Sequence, residues 1–103
     1  MENIEYTLEY FIKKFEAIPE KKWTVGTFED DKGCKCAYGH CGFSDKEIIN
    51  STPESTALRI LDEETRSTET SIILVNDDKT NARGFGHTPK QRAVNYLKFL
   101  RTV

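Results

Sequence analysis

The sequence predicts a single small α+β domain dominated by helices, and three observations carry that expectation. Its 103 residues can bury one ordinary hydrophobic core but not two, so residues 1–103 are expected to form one domain. Three segments, at the N-terminus, at Thr52 and at Thr88, carry helical periodicity or helix-start chemistry. Two short stretches, around Trp23 and from Ile72 to Val75, are rich in aromatic or β-branched residues and read as strands.

Taken in order, Ile4, Leu8, Phe11, Ile12, Phe15 and Ile18 recur at helical spacing, with Glu5, Glu9, Lys13, Lys14 and Glu16 on the opposite face. Pro19 ends that helix, because its ring restricts the residue before it and it has no amide to donate. The "KKWTVGTF" stretch, with Trp23, Val25 and Phe28, reads as a short extended segment, and "EDDKG" as a turn. A short helix weakened by Gly39 and Gly42 is expected next, within "AYGHCGFSDKEIIN". Thr52 followed by Pro53 is a helix start, with Ala57, Leu58, Ile60 and Leu61 as the buried stripe. The run from Ile72 to Val75 fits a short buried strand, although a buried helical turn has the same composition. Thr88, Pro89 and Gln91 form the pattern of a capping box, and Ala93, Val94, Leu97 and Leu100 give the last helix its core face.

Composition narrows the function classes. Eleven aromatics are too many for a disordered chain, and fifteen basic against seventeen acidic residues leave a formal charge of −2. Such a balance provides no general attraction to phosphate backbones or anionic membranes, so nucleic-acid and membrane roles are not expected. Lys90, Arg92, Lys98 and Arg101 do bias the last helix, which suits its C-terminal dipole and a solvated outer face. The acidic, amphipathic first residues do not resemble a signal peptide, and three cysteines, an odd number, fit reduced thiols; a cytoplasmic setting is expected.

The cluster "GCKCAYGHCG" concentrates the candidate chemistry. As a zinc site it would use Cys34, Cys36, His40 and Cys41, the preferred ligand types, but all four fall within eight residues, where structural sites join pairs from separate parts of the chain. As a nucleophile, Cys36 at a helix start would need His40 or His87 as base, oriented by Asn76 or Asp77. The reading preferred from the residue types is packing: Cys36 and Ala37 as small buried groups, glycines allowing close backbone approach, and His40 hydrogen-bonded inside. No cofactor is expected. The long polar stretch "NDDKTNARGFGH" is the candidate contact surface, with Asp77, Asp78, Arg83, Phe85 and His87 as its binding residues. Phe85, between two glycines, either folds back or anchors a partner.

The segments "AIPEKKWTVGTF", "CAYGHCG", "VNDD" and "TPKQRAVNYL" together resemble a group of small phage and bacterial proteins of uncharacterised activity. These share Trp-Thr, Cys-Ala-x-Gly-His, Asn-Asp and Thr-Pro-Lys-Gln-Arg segments, matched here at Trp23, Cys36, Gly39, His40, Asn76, Asp77, Thr88, Pro89 and Arg92. Cys34 and Cys41 depart from that pattern. The resemblance implies a phage-infected or prophage-bearing bacterial cell. The function expected is therefore a non-enzymatic accessory protein that binds a protein partner, such as a host or defence factor. The alternative is a cysteine-dependent hydrolase or transferase using Cys36 with His40 or His87 and Asp77.

Overall fold

The computed structural model describes residues 6–42, 52–65 and 71–102, and among them five α-helices enclose one core. The first, α1 (Leu8–Ala17), starts one turn later than its periodicity suggests because Thr7 caps it, accepting a hydrogen bond from the Tyr10 amide at 3.1 Å. Ile4 lies outside the described residues. Phe11, Ile12 and Phe15 form the buried face of α1, and the extended Ile18 before Pro19 ends it, as the sequence predicts.

The strand expected around Trp23 does not form. A short 3-10 turn (Glu20–Lys22) leads into Trp23, which makes an isolated bridge to Lys35; Lys35 makes a second one to Glu29. Between them the chain turns back twice, at Gly26 and Gly33, both at positive φ, and Asp30 Oδ1 holds the intervening turn by accepting from the amides of Lys32 and Cys34 at 2.9 Å. Pairing thus ends after one residue on each side, too short for a ladder. The next helix, α2 (Ala37–His40), is a single turn closed by Gly42 at φ +89°. Gly39 within it lies so near the Phe28 carbonyl that a Cβ would sit 2.0 Å from that oxygen. Here the close approach expected of this glycine is realised.

Thr52 starts α3 (Pro53–Thr65) as predicted: its Oγ1 accepts from the Ser55 amide at 3.0 Å, and Ser55 Oγ accepts from the Thr52 amide at 2.9 Å. Its stripe differs from the expected one. Leu58 is fully buried, whereas Ile60 faces outward and Ser55 and Asp62 face inward.

The second predicted strand is a helix, α4 (Ile72–Asn76), capped by Ser71. The reason is visible in its burial. Ile72 and Val75, three residues apart, are both fully buried, while Ile73 and Leu74 are exposed. A strand would have placed Ile72 and Leu74 on one face. With this segment helical and the Trp23 stretch reduced to bridges, no sheet remains among the described residues, and the α+β expectation is corrected to a helical fold.

The last helix, α5 (Pro89–Thr102), is the centre of the fold and packs on α1, α3 and α4. Thr88 Oγ1 accepts from the Gln91 amide at 3.1 Å, and the Gln91 side chain returns to the His87 amide, one residue earlier than in a standard capping box. Ala93, Val94, Leu97 and Leu100 are buried as expected. Arg92, expected on the outer basic face, is instead among the most buried side chains of the molecule.

Candidate functional site

The sulfurs of the cysteine cluster diverge. The Cys34 thiol donates to the Lys21 carbonyl at 3.2 Å, Cys36 lines a cleft beside α4, and Cys41 is buried next to Glu54. Among the described residues no three His, Cys, Asp or Glu side chains are grouped so as to hold a metal ion. The set Cys34, Cys36, His40 and Cys41 therefore does not converge. Backbone geometry separates it: the turn around Asp30 takes Cys34 to one side, and the single turn of α2 rotates Cys36, His40 and Cys41 to different surroundings.

Cys36 is the residue before α2 and is buried. Burial pushes its thiol above the ordinary range; the amides of Gly39 and Tyr38 at the start of α2 oppose that shift, and the Asp77 carboxylate adds to it. The sulfur therefore stays protonated at neutral pH. His40 lies one turn on, but its ring packs against Trp23 at a centroid distance of 4.6 Å, and its Nε2 is buried without a hydrogen-bond partner among the described residues. Burial, then the positive charge of Lys35, lowers its pKa to about 4. His87 is exposed and lines a different cavity, with Lys79 and Arg92. Of the proposed nucleophile, bases and orienting acid, only Cys36 and Asp77 share a cleft.

That cleft has a volume of about 180 Å³ and lies among residues 26–28, the start of α2 and the outer side of α4; Phe28, Cys36, Tyr38, Ile73, Asn76 and Asp77 are in its walls. Asn76 builds it. Its Oδ1 accepts from the Ala37 amide at 3.1 Å, and its Nδ2 donates to the Thr24 carbonyl and to Asp77 Oδ1, each at 3.0 Å. Asp77 Oδ1 also accepts from the Gly26 amide at 3.0 Å. One side chain thus ties the Trp23 segment, α2 and the end of α4 together. Ile73, in the wall of the cleft, is 44% exposed, and Leu74, next to it on α4, is 45% exposed.

The loop after α4 is braced internally. Asp78 is buried and accepts from the amides of Ala82 (3.1 Å) and Arg83 (2.8 Å), which hold its carboxyl below the usual range. Phe85 folds back onto Tyr96 and Phe99, at ring-centroid distances of 5.4 and 5.7 Å, rather than standing out. Arg83 and His87 are exposed. The five residues expected to bind are thereby divided: Asp77 and Asp78 hold backbone amides, Phe85 packs inward, and Arg83 and His87 face solvent.

Sequence reasoning missed the buried pair Asp62 and Tyr96, joined at 2.6 Å, whose carboxylate also accepts from the Ile72 amide at 3.2 Å. It missed Arg92 as well. The signal was present in the spacing, since Arg92, Tyr96 and Leu100 fall four apart on one face of α5. No helix among the described residues is long and apolar enough to cross a membrane. Comparison with protein-family models, with curated proteins and with solved structures found no match.

Proposed function

We propose that this chain is a non-enzymatic accessory protein of a phage or bacterium that works in the cytoplasm by binding a protein partner. The docking surface is the Asn76-built cleft, and the partner presents an apolar side chain to it. The observation that carries this reading is Ile73, a large apolar side chain left half in water in the wall of a mainly apolar cleft, with the equally exposed Leu74 next to it in the sequence. The polar groups around the cleft support it. The Asn76 amide and Asp77 Oδ1 are engaged with backbone and with each other, and the Cys36 thiol is protonated and has no imidazole beside it in the cleft.

Affinity capture from bacterial cytosol tests this reading with three baits: the natural chain, Ile73→Lys/Leu74→Lys, and Cys36→Ala. The expected result is one specific bacterial protein retained by the natural chain and by Cys36→Ala but lost from the double variant. Retention that ignores the double substitution sinks the docking surface. Turnover of acyl substrates that disappears in Cys36→Ala establishes the hydrolase or transferase alternative instead.

A further inference from the structure

A second cavity, of about 380 Å³, opens beside the start of α5 and shares no lining residue with the cleft. Thr24 and Val25 form part of its wall, Lys79 and Arg92 supply its positive charge and His87 an imidazole, with no carboxylate among the described lining residues. Arg92 is only 2% exposed, so its guanidinium is largely withdrawn from water. One edge of that group is satisfied. Nε donates to the Val75 carbonyl at 2.9 Å and Nη2 to the Asn76 carbonyl at 2.8 Å, which closes the end of α4.

The rest of the guanidinium is not accounted for. Nη1 has no hydrogen-bond partner among the described residues, and the groups that Nε and Nη2 meet are neutral carbonyls. The nearby acids Asp78 and Asp77 favour its charge through space but place their hydrogen bonds elsewhere, Asp78 on the amides of Ala82 and Arg83 and Asp77 Oδ1 on Gly26 and Asn76. A buried arginine ordinarily meets a carboxylate or phosphate, because desolvation of a full positive charge is poorly offset by dipoles alone. Here no carboxylate among the described residues hydrogen-bonds to it, and it lines a cavity with the exposed Lys79 and His87 at the rim.

We propose that this cavity is an oxyanion-binding site that takes a phosphate or carboxylate group. Arg92 supplies a guanidinium held in place by the end of α4, and its free Nη1 donates to the anion. Lys79 adds a mobile positive charge and His87 a ring N–H donor from the rim. The site is independent of the proposed docking cleft, and each can fail without the other.

The test is an NMR titration of the full chain with inorganic phosphate and, separately, with acetate, at constant ionic strength balanced by chloride. The signals followed are the Arg92 Nε–H and the backbone amides of Thr24 and Val25. Saturable shifts with either anion are expected, weakened about tenfold in Lys79→Ala/His87→Ala, a loss of about 1.4 kcal/mol. Both substitutions are at exposed positions, and the double variant's unperturbed core resonances report that it is folded. Tighter phosphate binding assigns the site to phosphorylated ligands, and tighter acetate binding to carboxylates. The proposal is overturned if neither anion gives saturable shifts at Arg92, or if the folded double variant responds like the natural chain.

Discussion

At the scale of single residues, the chemistry of this protein is decided by which polar groups are enclosed and how completely they are satisfied. Asn76 uses both ends of its amide and makes the cleft a fixed shape. His40 is the opposite case, a ring wedged against Trp23 with one nitrogen unpartnered. Its pKa falls from 6.5 to about 4 in the folded chain, so the unfolded chain takes up the proton first as the solution is acidified. The stability tied to the neutral ring is complete above pH 6.5 and is lost progressively between 6.5 and about 4. Urea denaturation across that range should show the fall in the natural chain and a flatter profile in His40→Phe, which keeps an aromatic ring against Trp23. Equal slopes in the two proteins would show that the imidazole is not responsible.

At the scale of elements, caps and close approaches set the boundaries. Thr88 holds the start of α5 through a single hydroxyl, and Thr88→Ala should cost about 1 kcal/mol in denaturation experiments. Gly39 is a harsher case. Its α2 backbone abuts the Phe28 carbonyl, and the first carbon of any side chain would meet that oxygen, so Gly39→Ala should cost about 2 kcal/mol or more despite alanine's better helix propensity. A loss for Thr88→Ala as large as that for Gly39→Ala would contradict this ranking. Both features were legible beforehand, the first as a Thr-Pro-x-Gln pattern and the second as a glycine inside a helical stretch. The identity of α4 was not. Ile72 to Val75 suits either element until it is known which of the four side chains have a core to face.

At the scale of the whole molecule, α5 is the shared wall against which α1, α3 and α4 pack, and its stability is that of the fold. Leu97, fully buried at its centre, should cost about 2–5 kcal/mol when replaced by alanine. Ile73→Lys/Leu74→Lys should stay within about 0.5 kcal/mol of the natural chain at each position, because both side chains already stand half in water. Thermal or urea unfolding measures both, and a double variant as unstable as Leu97→Ala would mean that Ile73 and Leu74 hold the fold together rather than await a partner.

What the amino-acid order determined alone was local: the three long helices, the end of the first at Pro19, and the Thr-Pro starts at Thr52 and Thr88. These depend on contacts within a few residues, which periodicity and capping report directly. The tertiary structure decided what depends on distant neighbours. It turned the Ile72 stretch into a helix against α5, buried Arg92 under the carbonyls of α4, separated the three sulfurs, and placed Asp77 beside Cys36 while sending His87 to another cavity. Such outcomes follow from which faces find an apolar partner and which charges find a dipole, and those partners lie tens of residues away along the chain.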